Sequence, residues 1–171
     1  AQQILINPAT NLAGSGTGAL ARLDHVYDLI ESNIASTVRA KIASIPQRVS
    51  HPLAQAVAKV VCLLQFVPTV HRTAENIAAA LFEKVDGESK LPQVKEALAE
   101  LEKALMIRQG DGGYRIPTPA EDDWDQTRSG IDPRPADRKR LLTEVLAGLW
   151  APQPSFNLAD TKLFKAGLMV N

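Results

Sequence analysis

Between Leu53 and Leu105 apolar residues recur three or four positions apart in three successive runs, and each run closes on a helix-stopping signal. In the first, Leu53, Val57, Val60, Val61 and Leu64 share a side, Phe66 and Val67 follow, and Pro68 ends it. The spacing predicts a helix over 53–67 at the centre of the core. Thr73 precedes the second run, Ile77, Ala80, Leu81 and Val85, and with Asn76 it makes an imperfect capping box, so a helix is predicted over 73–85. A polar turn over 86–90 leads to Leu91, Val94, Leu98, Leu101 and Leu105, the third predicted helix. Ile107, Tyr114 and Ile116 then flank Gly110-Asp111-Gly112-Gly113, the signature of a tight β-hairpin. Helix, helix, helix, hairpin is the order of a winged helix-turn-helix in a mainly α chain, an architecture that hosts many functions.

Upstream, Leu20, Leu23, Tyr27, Ile30, Ile34, Val38, Ile42 and Ile45 form one apolar stripe, predicting a single long helix from Thr17 to Ile45 that Pro46 ends. Such a stripe must be covered by the winged module or by a partner. Downstream, Thr118 as cap, Pro119 at the first helical position and Glu121, Asp122 and Asp123 in the first turn mark another helix start, with Trp124 as its expected anchor to the core. Ser129 to Pro135 reads as a linker. A helix over 136–150 carries Leu141, Leu142, Val145, Leu146, Leu149 and Trp150, Pro152 and Pro154 end it, and Leu158 and 163–170 read as strands. The expected organisation is a flexible lead-in (1–16), a long amphipathic helix and connector (17–52), a winged-helix domain (53–128), a linker (129–135), and a helix-strand extension (136–171) opening a further α/β domain. A start at Ala1 and an end in a strand-like Leu168-Met169-Val170-Asn171 predict a segment of a longer polypeptide.

Composition narrows the function classes. With 171 residues, 45% hydrophobic, the chain has enough apolar material for a real core. Lys and Arg together number 19, as do Asp and Glu, so no global positive field marks a nucleic-acid binder. Any such contact needs a local patch. The lone Cys62 excludes a disulfide framework and fits a reducing cytoplasm, and no run reaches membrane-spanning length. His25 and His51 lack partners at metal-ligand spacing, and Glu121, Asp122, Asp123 and Asp125 lack the glycine and loop spacing of a calcium site. The glycines over 14–18 invite a phosphate-loop reading, but neither Lys-Ser nor Lys-Thr follows, so a linker is preferred. No catalytic constellation is present, and no cofactor is expected in this segment.

The binding candidates are surface residues. In a helix-turn-helix the third helix enters the major groove, and Gln93 and Lys95 sit at its start. From Lys90 to Lys103, however, three lysines face three glutamates, where phosphate contact calls for net positive charge. Arg108 and Arg115 project from the hairpin, fitting a minor-groove contact and a solvated edge strand equally. Arg138, Lys139 and Arg140 cluster at a helix N-terminus, where cations are disfavoured without an acidic partner. His71 and Arg72 lie in a turn that could touch a phosphate or simply be solvated.

Four stretches, 18–29, 73–78, 113–121 and 164–168, together resemble a segment of the large P-loop ATPases of bacteriophage-exclusion (BREX) and related phage-growth-limitation systems. The resemblance implies an accessory, non-enzymatic region of an antiphage-defence ATPase whose ATP and magnesium site lies elsewhere in the parent. Its expected partners are double-stranded DNA or other defence subunits, without a membrane. The alternative is a transcription regulator of winged helix-turn-helix type, dimerising along the 17–45 helix and reading an operator through Gln93, Lys95, Arg108 and Arg115.

Overall fold

In the computed structural model, which describes Ile6, residues 12–159, residues 161–167 and Met169, the chain is mainly helical with small antiparallel hairpins. The helices are α1 (Leu23–Ile30), α2 (Ser36–Ala43), α3 (Ile45–Arg48), α4 (Ala54–Leu64), α5 (Ala74–Ala80) and α6 (Leu91–Lys103). Strands β1 (Arg108–Gly110) and β2 (Gly113–Arg115) follow, then α7 (Pro119–Ser129), α8 (Pro135–Leu149), β3 (Ser155–Leu158) and β4 (Lys162–Lys165). Two compact units divide the chain, Ala1–Asp123 and Trp124–Asn171, with the boundary inside α7.

In the first unit α4 is the central element. Val57, Ala58, Val60 and Val61 are fully buried, and α1, α2, α3, α5 and α6 each pack against it. A buried aliphatic side chain contributes about 1.5–3 kcal/mol, so these positions carry much of the unit's stability. Burial also pushes the Cys62 thiol up to about 11, which leaves it an inert apolar group at neutral pH. Thr73 Oγ1 accepts the Asn76 amide at 3.3 Å to cap α5, and Asn76 Nδ2 donates to the His71 carbonyl at 2.7 Å.

Four residues of the core expected over 53–105, Phe66, Val67, Val85 and Leu105, lie at the surface instead. Phe66 and Val67 are 69% and 41% exposed because α4 stops at Leu64, short of Val67, which as the residue before Pro68 is disfavoured in helical geometry. Val85 is 65% exposed because α5 ends at Ala80; the chain after it turns and makes a single bridge to residues 18–20, with Ala19 opposite Lys84. Leu105 is exposed because it takes the left-handed position that ends α6, at φ 58°. The Met106 amide donates to the Leu101 carbonyl and the Leu105 amide to that of Glu102, a pattern that brings Met106 and Ile107 into the core in its place.

The long helix expected over 17–45 is four pieces. α1 gives way to a 3-10 turn at Glu31–Asn33, α2 begins at Ser36, and Pro46 sits in the first turn of α3 rather than ending a helix. Ser32 and Asn33 offer the backbone local hydrogen bonds that compete with the helix, and Pro is at ease in a first turn. Tyr27, Ile34, Ile42 and Ile45 of the stripe are buried in this chain's own core, which removes the expected dimer seam. Tyr27 lies wholly inside, with the Lys59 ammonium 5.7 Å from its ring centroid, and burial raises its phenol to about 12.

β1 and β2 pair antiparallel, Arg108 opposite Arg115 and Gly110 opposite Gly113. Residue 72, between α4 and α5, bridges Gly113 as a short third strand: its amide donates to the Gly112 carbonyl at 2.7 Å, and the Tyr114 amide donates to the Arg72 carbonyl at 3.0 Å. α7 opens with a reciprocal capping box between Thr118 and Glu121. Trp124, the expected anchor, is 58% exposed with the Arg128 guanidinium 5.1 Å from its ring. Charge secures the start of α7 instead: Asp122 accepts from Lys41 Nζ of α2 at 2.6 and 2.7 Å.

In the second unit α8 and the β3–β4 hairpin, with Phe156 opposite Phe164, form where helix and strands were expected. Their large apolar side chains Leu141, Leu142, Val145, Leu149, Phe156 and Phe164 are exposed. No helix among the described residues is long and apolar enough to cross a membrane. The lead-in expected over 1–16 falls mostly outside the described residues, as do 168 and 170 of the last strand; Leu12–Gly14 is a 3-10 turn.

Candidate interaction surface

The outward face of α6 is built by the same periodicity that buries Val94, Ala97, Leu98 and Leu101 on the other side. Gln93, Lys95, Glu96, Glu100, Glu102 and Lys103 are all exposed on it. Lys95 Nζ stands 3.5 Å from Glu75 Oε1 of α5. Lys90 is drawn away to Glu83 at 2.5 Å, so the face retains two lysines against three glutamates, a net charge of −1. His51, in the connection before α4, sits against two of these carboxylates: its backbone amide donates to Glu100 Oε2 at 3.2 Å, and its Nε2 is 3.8 Å from Glu96 Oε2. Its Nδ1 accepts the Leu53 amide, so the imidazole is fixed from both sides.

The hairpin arginines are held rather than offered. Arg115 forms a two-point pair with Glu121, one bond at 2.7 Å, which turns its guanidinium toward α7. The sequence left Arg115 equally open to a minor-groove contact and a solvated edge strand; the pairing with Glu121 occupies the fork that a phosphate would need. Arg108 lies directly across the ladder, half-buried and with interactions of its own. Arg72, read from sequence as a solvated or phosphate-touching turn residue, donates Nε to the Tyr114 carbonyl at 2.7 Å and a terminal nitrogen to the Asp111 carbonyl at 2.8 Å. Its guanidinium caps the hairpin from inside.

The Arg115 fork and the Thr118 amide hold the Glu121 carboxyl far below its ordinary range, in that order of weight. A carboxyl depressed in the folded state stabilises fully above its unfolded value of about 4.3 and progressively less as pH falls beneath it. Glu121→Gln is therefore expected to lower stability at neutral pH and to flatten its decline below about pH 4, followed by circular dichroism across an acid titration. An unchanged acid limb in the variant would show that the pair contributes nothing.

Arg138, Lys139 and Arg140 belong to the second unit. Arg138 pairs with Asp132 at 2.7 Å and Arg140 lies 4.0 Å from Asp137, while Lys139 is exposed. The acidic partners that a cluster at a helix N-terminus requires are thus supplied locally. Among the described residues no three His, Cys, Asp or Glu side chains are grouped to hold a metal ion. Sequence reading missed the network Asp24–Arg22–Glu83–Lys90: the Arg22 fork grips the buried Asp24 at 3.0 and 2.7 Å and reaches Glu83 at 2.7 Å. No periodic signal links residues about sixty apart, although a lone Arg-Leu-Asp at a helix start was there to find.

No protein-family model, curated protein or solved structure matches this chain.

Proposed function

We propose that residues 53–117 form a winged helix-turn-helix that works as a non-catalytic interaction module, docking on a protein partner in preference to duplex DNA. What supports the fold reading is the sequence α4, α5, α6, β1, β2, with residue 72 joining the hairpin as the short strand between the first two helices. The observation that carries the functional reading is the formal charge of the α6 face, −1 from Lys95 and Lys103 against Glu96, Glu100 and Glu102 once Lys90 is set aside with Glu83. Phosphate neutralisation supplies most DNA affinity, and outward Glu96, Glu100 and Glu102 oppose it. In this reading, which rests on the resemblance alone, the module belongs to a cytoplasmic antiphage-defence ATPase, with other defence subunits as partners and the ATP and magnesium site elsewhere in the parent. An operator-reading dimer has exposed Gln93 in its favour, yet the stripe it would dimerise along lies in the core.

Charge reversal tests the reading. Glu96→Lys with Glu102→Lys gives the face four lysines against one glutamate while sparing the Glu100 bond to His51. The double variant is expected to gain salt-sensitive duplex affinity of about tenfold or more over wild type in fluorescence anisotropy. No gain from a folded variant would show that something other than α6 charge governs DNA contact.

A further inference from the structure

We propose that the cleft between the glycine-rich turn over 14–18 and the α5–α6 connection binds a phosphate group, with Lys84 and His25 as its principal ligands. The cleft has a volume of about 520 Å³ and is lined by Gly16, Thr17, Arg22, His25, Glu83 and Lys84, among others. That is the size of a small-molecule site and larger than a bare anion requires.

In sequence the glycine turn lacks the lysine that a phosphate loop needs. The fold supplies one from 65 residues beyond Ala19, because Ala19 and Lys84 face each other in an antiparallel bridge. Two backbone bonds fix the arrangement, the Leu20 amide to the Glu83 carbonyl and the Val85 amide to the Gly18 carbonyl, both 2.9 Å. Gly18 takes φ 91°, a turn geometry that L side chains rarely adopt.

Lys84 and His25, neither of them in an ion pair among the described residues, line the same space. Arg22, the residue before α1, also lines the cleft but its fork is committed to Asp24 and Glu83, whereas His25 lies in the first turn of α1, whose N-terminus has no side-chain cap and so has amides left over at that end. Glu83 is the carboxylate among these lining residues, and it is neutralised from two sides by Lys90 and Arg22. The Lys90 bond, ahead of Arg22, holds its carboxyl below the ordinary range. Lys84 is exposed and pairs with no carboxylate among the described residues, which leaves its ammonium for an incoming anion.

The test is isothermal titration calorimetry of the chain with inorganic phosphate and, separately, with AMP, at low ionic strength. Saturable binding of either probe is expected, with Lys84→Ala weakening it about tenfold, the loss of one charge-assisted bond. Tighter binding of AMP identifies an ester as the ligand; equal or tighter binding of phosphate identifies the free anion. The melting temperature of Lys84→Ala is expected to stay at the wild-type value, because the bridge at this residue is made by backbone. Absence of heat with both probes would overturn the proposal. So would undiminished binding in Lys84→Ala, or an equal loss in Lys103→Ala, a lysine on α6 outside the cleft.

Discussion

Gly113→Ala is expected to destabilise the first unit by about 3 kcal/mol or more, the sum of a left-handed backbone penalty and overpacking. At φ 103° a β-carbon here would stand 2.4 Å from the Arg72 carbonyl oxygen and 2.6 Å from its carbon. No side-chain rotation relieves a clash with backbone. To admit the methyl group, the strand at residue 72 must withdraw, breaking its bonds to Gly112 and Tyr114 and unseating the Arg72 guanidinium from the hairpin carbonyls. Gly112→Ala is the matched control: at φ 76° it meets only the Arg72 side-chain tip at 3.3 Å, so about 1 kcal/mol is expected. Chemical denaturation of both variants measures the difference. Equal losses would mean that the close approach of residue 72 is not what the glycine serves.

Arg22→Ala is the second large effect. Asp24 is 6% exposed and takes two bonds from the Arg22 fork, so truncation leaves a carboxylate inside the protein without its cation. Breaking a buried pair from one side costs about 3–5 kcal/mol, while removing both partners costs much less. The double variant Arg22→Ala with Asp24→Ala is therefore expected to recover most of the loss, a coupling that equilibrium unfolding of the two singles and the double reads directly. A double variant as unstable as the sum of the singles would show that the two side chains act independently.

The helices and hairpin over 53–117 were legible in sequence because each rests on a local signal. Leucine and valine spacing marks a buried face, Thr73 and Thr118 mark starts, and Gly112 and Gly113 mark the turn. Where helices stop was less legible. Periodicity counted Phe66, Val67, Val85 and Leu105 as core, but an early helix end before Pro68, a turn held by a single bridge and a left-handed residue other than glycine take over at those points. The 17–45 stripe was in large part a core pattern assigned to one helix: the chain folded in pieces buries Tyr27, Ile34, Ile42 and Ile45 and packs Leu23 and Val38 against them, while Leu20 and Ile30 stay exposed. Charge was read residue by residue and so missed the partner of Arg115, six residues on, and those of Arg72, carbonyls about forty residues away. An exposed cation becomes a binding candidate only after its local partners are known, and tertiary pairing is what a linear reading lacks.

The most direct test of the interaction-module account is a fluorescence-anisotropy titration of the wild-type chain against a labelled mixed-sequence duplex, at low and physiological ionic strength. The account predicts no saturable binding at physiological salt and at most a weak rise at low salt that Arg108→Ala leaves unchanged. Tight binding that weakens in Gln93→Ala or Lys95→Ala and persists at physiological salt would contradict it and make α6 a reader of DNA.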